Sequence, residues 1–121
     1  MTLRLANIVF DCDDVLAVAG FWSTALERPV DPGGSEYFTS IGATDEGASE
    51  RWFFAKVPEG KTAKNRVHVD LHADDRDAVQ TEADRLVALG ATVVRPPKEE
   101  FGTYWATLQD PEGNEFCIGA P

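Results

Sequence analysis

Asp13-Asp14-Val15-Leu16-Ala17-Val18 and Asp74-Asp75-Arg76-Asp77-Ala78-Val79 lie 61 residues apart in a chain of 121. Each opens on a pair of aspartates, whose carboxylates can accept from the free N–H groups at a helix start. Each follows a stretch in which apolar residues alternate. After the first pair, Val15, Val18, Ala19, Trp22, Ala25 and Leu26 fall at helical spacing and form one apolar stripe. After the second pair, Val79, Ala83, Leu86 and Val87 do the same, and Ala25-Leu26 returns as Ala88-Leu89. Self-similarity at half the chain length predicts a fold built twice.

Working outward, Leu3 to Asp11 reads as the strand before the first helix. Arg28-Pro29-Val30-Asp31-Pro32-Gly33-Gly34 ends that helix and leaves room for a short edge strand. Tyr37 to Ile41 and Trp52 to Val57 read as strands around a loop containing Asp45-Glu46-Gly47, and Pro58-Glu59-Gly60-Lys61 turns the chain into its second half. There, Arg66 to His72 reads as a strand, with Asp74 or Asp75 capping the helix and Gly90 ending it. Thr92 to Arg95 follows, stopped by Pro96-Pro97. Trp105 to Gln109 and Glu115 to Ile118 flank the turn Asp110-Pro111-Glu112-Gly113-Asn114. The expectation is one α+β domain over residues 1–121, made of two βαβββ modules, about 1–60 and about 61–121.

The strands alternate. Ile8 and Phe10, then Val67, Val69 and Leu71, then Phe116 and Ile118 make an oily face suited to helix packing. Asn7 and Asp11, His68 and Asp70, Glu115 and Cys117 fall on the other. That face is expected to be a curved mixed sheet lining a cleft, with the helices outside. Trp52, Phe54 and Trp105 are its expected aromatic walls.

Composition bounds the function. With 43% hydrophobic and 26% charged residues the chain has the balance of a globular domain. Its net charge of −10 disfavours nucleic acid and anionic lipid as partners. The run Val15 to Trp22 is too short to span a bilayer. Cys12 and Cys117 have no CxxC spacing and read as reduced, buried thiols; the N-terminal residues lack a signal-peptide pattern. A cytoplasmic location is expected. No P-loop, dinucleotide fingerprint or Ser-His-Asp arrangement is visible.

Three segments carry a resemblance. Asp110-Pro111-Glu112-Gly113-Asn114-Glu115-Phe116-Cys117 looks like the closing turn and strand of vicinal oxygen chelate domains. Asn65-Arg66-Val67-His68-Val69-Asp70-Leu71 looks like the strand opening their second module. Asp14 followed by Phe21-Trp22 looks like the start of their first helix, and with Lys64-Asn65-Arg66 it resembles a glyoxalase-like subgroup. This superfamily includes glyoxalases, bleomycin-resistance proteins and extradiol dioxygenases. The resemblance implies a homodimer and a divalent metal (Zn, Ni, Mn or Fe) held by one residue from each of four strands. His68, seven residues before Asp75, and Glu115 match two of those positions. Asn7, seven residues before Asp14, stands where His or Gln is usual, and Trp52-Phe53-Phe54-Ala55 offers aromatics where Glu or His is usual.

The leading reading is a small-molecule protein with His68 and Glu115 as catalytic pair and tentative metal ligands. Asn7, Asp11 and Asp70 orient the ligand between the aromatic walls. If it is an enzyme, the resemblance implies a lyase, isomerase or oxygenase working by enolate stabilisation or proton transfer next to a carbonyl. The same pair could work without metal, or simply hydrogen-bond as structure. Arg66 is the candidate partner of Asp70, and His72 reads as a solvated surface residue. Cys117 has no evident activating base. The alternative is a non-catalytic binder of the bleomycin-resistance type, for which the acidic surface favours a cationic ligand.

Overall fold

The computed structural model describes residues 2–45, 47 and 50–121. Glu46, in the loop expected around Asp45-Glu46-Gly47, lies outside them. The chain divides into two compact units, Met1–Gly60 and Lys61–Pro121. The architecture is α+β, two βαβββ-like modules, each a mixed sheet with one helix.

In the first unit, β1 (Ile8–Cys12) leads to α1 (Val15–Leu26), then β2 (Phe38–Ile41) and β3 (Trp52–Lys56). β3 is the central strand, parallel to β1 and antiparallel to β2. The edge strand expected after α1 is reduced to a single bridge between Val30 and Ile41. Asp14 is the N-cap of α1, its side chain accepting from the Ala17 N–H. The helix ends with Glu27 in the left-handed region (φ 55°), where the Arg28 N–H reaches back to the Ser23 carbonyl. Val15, Val18, Ala19, Phe21 and Trp22 are its buried residues. Trp22 meets Phe10 edge-on at 5.4 Å and lies 5.2 Å from Trp52, and Phe10 lies 5.5 Å from Phe54. Such aromatic pairs each add about 0.5–1.5 kcal/mol beyond the area they bury.

In the second unit, β4 (Asp70–His72) precedes α2 (Arg76–Ala88), β5 (Thr92–Glu100), β6 (Thr103–Gln109) and β7 (Glu115–Ala120). The strand order is β4-β7-β6-β5, with β4 parallel to β7 and the other pairs antiparallel. Asp75 caps α2 through the Ala78 N–H. Gly90, at φ 117°, lets the Ala91 N–H return to the Leu86 carbonyl and close the helix end. Val79, Ala83 and Leu86 of α2 are buried with Ala106, Leu108, Phe116 and Ile118 of the sheet.

Three strands differ from the sequence reading. The strand expected over Leu3–Asp11 begins only at Ile8, since Leu3 and Leu5 are exposed and pack against nothing that would hold them in a sheet. The strand expected over Arg66–His72 is regular only from Asp70, although the Val69 carbonyl still accepts from Cys117. Arg66 and Val67 are exposed and bury nothing that would fix a register there. Conversely, Pro96-Pro97 does not stop β5, which runs on to Glu100. β5 is the outer strand of its sheet, where a proline need not donate inward. The ladder absorbs the prolines by shifting register between Val93 and Arg95 and between Arg95 and Lys98.

Candidate functional site

Alternation in the second unit's sheet sorts its side chains. Phe116, Ile118 and Ala120 of β7 are buried on the α2 side. Glu115, Cys117 and Gly119 therefore point the other way. Register brings their neighbours to the same face: Gln109 beside Glu115, Asp70 and Thr107 beside Cys117, and His72 and Trp105 beside Gly119. Over this face lies a pocket of about 630 Å³, with Lys64, His68, Asp70, Arg95, Trp105 and Glu115 among its lining residues.

His68 sits just before β4, its Nε2 3.1 Å from Asp70 Oδ1. Asp70 thus pairs with His68 rather than with Arg66. Both side chains reach solvent, His68 at 44% and Asp70 at 70% exposure, so the pair is open to a ligand. Trp105 forms one wall. The Arg95 guanidinium stacks on its ring at 3.8 Å, donates to the Trp105 carbonyl at 2.6 Å and pairs with Glu100 at 3.0 Å. Stacking and two polar ties hold the indole in a fixed plane. His72 also lines the pocket, although its sequence position suggested plain surface.

Glu115 is buried and fully engaged. Its Oε1 accepts from the Asn65 N–H at 2.7 Å and meets Lys61 Nζ at 3.3 Å, while Oε2 accepts from Gln109 at 3.2 Å. The Asn65 side chain adds a bond to the Glu115 carbonyl. Burial pushes the Glu115 carboxyl up, but the donors from Asn65, Gln109 and Lys61 outweigh it and hold it at about 2. It is a permanent carboxylate at neutral pH. Burial pushes the Cys117 thiol up, and its bond to Thr107 at 3.4 Å only partly offsets this.

Of the residues singled out in the sequence, His68, Asp70, Trp105 and Glu115 meet in this pocket. Asn7, Asp11, Trp52 and Phe54 belong to the first unit and do not line it. Asn7 is half-buried ahead of β1, and Asp11 is exposed on β1. Trp52 and Phe54, at 3% and 0% exposure, pack among Phe10 and Trp22. The opposite face of β3 carries Phe53 and Ala55. Lys61, Gln109, Arg95 and Thr107 had not been singled out. Period-two alternation through the last two strands would have found Gln109 and Thr107. Lys61 and Arg95 depend on folded contacts with no local signal.

The metal implied by the resemblance can be tested against these donors. Both Glu115 oxygens already carry hydrogen-bond donors, and a cation at Oε1 would have the Lys61 ammonium as its neighbour. Asn7 is a weak donor for a transition metal, and Phe53 and Ala55 offer none. These residues do not fit a four-ligand site. Among the described residues, His68, Asp70 and Cys117 do converge, one ligand atom from each within 4.8 Å of the others.

A family model described as a glyoxalase-like domain matches residues 7–119. No curated protein matches the chain. Several solved structures share its fold. A hypothetical protein from S. aureus is 17% identical with a TM-score of 0.76, covering 100% of both chains. A glyoxalase/bleomycin resistance protein/dioxygenase family enzyme from Burkholderia phytofirmans is 23% identical with a TM-score of 0.75, over 95% of this chain and 94% of its own. The fosfomycin resistance protein FosX from Listeria monocytogenes is 13% identical with a TM-score of 0.77, over 100% of this chain and 95% of its own. Similarity at these identities carries the fold alone.

Proposed function

The chain belongs to the glyoxalase-like domain family of the vicinal oxygen chelate superfamily, and from that premise we propose that it binds a small organic molecule in the second unit's pocket. One observation carries this reading. An open His68–Asp70 pair, a fixed Trp105 wall and a permanently charged Glu115 line one concavity of about 630 Å³, the size of a small-molecule site. The pocket's own lining mixes Lys64 and Arg95 with Asp70 and Glu115. Its local charge thus differs from the chain's −10, and an organic ligand carrying carbonyl or carboxylate oxygens suits it better than an organic cation.

The chemistry we assign is proton transfer next to a carbonyl, the step shared by isomerases and lyases. His68 takes the proton and Asp70 holds its ring in place. Glu115, held at about 2, does not carry protons at neutral pH. Its role is to tie Asn65, Lys61 and Gln109 together behind the pocket wall. We further place the two units in one domain, because one family model runs through both. We also propose that the protein works as a homodimer in the cytoplasm.

The test is a titration with a panel of 2-oxo acids and α-hydroxy ketones. It is read by tryptophan fluorescence and by exchange of the α-proton in D₂O, followed by NMR. The expected result is a quench that Trp105→Phe removes, with exchange that His68→Ala removes. Binding without exchange would favour the second reading, a non-catalytic binder. No binding by any member would overturn the pocket assignment.

A further inference from the structure

We propose that His68, Asp70 and Cys117 form a zinc-type metal site contained wholly within the second unit, distinct from the four-strand site that the family resemblance implies. Three observations meet here. The donors are imidazole nitrogen, carboxylate oxygen and thiol sulfur, a mixed set that zinc accepts and that hard ions such as Mg²⁺ or Ca²⁺ do not. Their ligand atoms already lie within 4.8 Å of one another. Their placement follows from the sheet itself: Asp70 and Cys117 are register partners on the parallel strands β4 and β7, and His68 precedes Asp70 by two residues.

The spacing is close to what an ion needs. Two donors each about 2.0–2.2 Å from a tetrahedral zinc sit roughly 3.3 Å apart. His68 Nε2 and Asp70 Oδ1 are 3.1 Å apart before any ion enters. Cys117 is half-buried and Thr107 hydrogen-bonds its sulfur, a contact that would orient a thiolate ligand. Three protein ligands leave a fourth position, and all three residues line the pocket. That is the pattern of an open zinc site rather than a closed structural one. The ion would commit His68 to coordination, so proton transfer through His68 belongs to the metal-free protein.

This inference goes beyond the pocket reading and can fail alone. The experiment is equilibrium dialysis of the full chain, purified without a metal-affinity tag, against Zn²⁺ and then Co²⁺. Co²⁺ is used because a cobalt–thiolate bond gives a near-ultraviolet charge-transfer band. The expected result is one ion per chain, with a thiolate band that Cys117→Ser abolishes. Affinity should fall at least about tenfold in His68→Ala and Asp70→Asn, while Glu115→Gln keeps the ion. A second readout needs no variant. Zn²⁺ should protect Cys117 from alkylation in the native protein, located by peptide mass spectrometry, while Cys12 at 0% exposure stays unlabelled with or without metal. No thiolate band and no protection would overturn the proposal. Loss of the ion in Glu115→Gln but not in Cys117→Ser would move the site to the family's positions. Binding of a 2-oxo acid by a protein that takes up no metal would leave the pocket reading standing without this one.

Discussion

Glu115 carries the clearest acid–base consequence. Its carboxyl is held at about 2 against an ordinary value of 4.5, so the folded state favours the ionised form. The stabilisation is fully present above about pH 5 and is lost as pH falls through the window between the two values. Replacing it by Gln should cost about 1–2 kcal/mol at neutral pH, since hydrogen bonds to a charged acceptor lose their charge assistance. The gap between wild type and Glu115→Gln should close as the pH approaches 2, measured by urea unfolding across that range. A gap that stays constant with pH would mean that the interactions of Asn65, Lys61 and Gln109 do not depend on its charge. The sequence named Glu115 and its strand but not this role. Two of its donors, Lys61 and Asn65, lie some 50 residues away along the chain, and nothing local announces that they return to it.

The helices were the most legible elements, and for a local reason. Asp14 and Asp75 cap them, and Val15, Val18, Ala19 and Trp22 of one stripe and Val79, Ala83 and Leu86 of the other are buried, while Ala25 and Leu26 are half-buried and Val87 at the end of its stripe is exposed. Removing the cap in Asp75→Ala should cost about 1 kcal/mol, read from thermal unfolding. Glu27 points the other way. A non-glycine residue in the left-handed region costs roughly 1–2 kcal/mol, so Glu27→Gly should raise the melting temperature; a fall would show that its side chain compensates. Strand ends and faces were less legible. Trp52-Phe53-Phe54-Ala55 is apolar throughout, so alternation cannot say which two residues face α1. The structure answers with Trp52 and Phe54. Phe54→Ala should therefore act as a core deletion, costing about 3–5 kcal/mol in urea unfolding. Ligand affinity in the second unit's pocket should stay unchanged in the molecules that remain folded. A selective loss of affinity without loss of stability would instead place Phe54 at the ligand.

At the scale of the whole molecule, the repeat of 61 residues made the two-module fold readable before any contact was known. Function was not readable in the same way, because the pocket is assembled by register between β4, β6 and β7. No helix among the described residues is long and apolar enough to cross a membrane. If the proposed homodimer forms, light scattering should give about twice the 13.2 kDa of one chain at micromolar concentration. A single-chain mass would remove the dimer from the proposal. The prolines of β5 bear on how such partners can meet. A sheet edge normally templates the strands of other molecules, and uncontrolled growth from it leads to fibres. β5 interrupts that template twice, with Pro96-Pro97 and two shifts of register. Another chain therefore cannot extend this sheet in an unbroken ladder, and the protein should resist aggregation from this edge even when concentrated. Replacing both prolines by Thr would restore the donors and should shorten the lag before thioflavin-positive aggregates form.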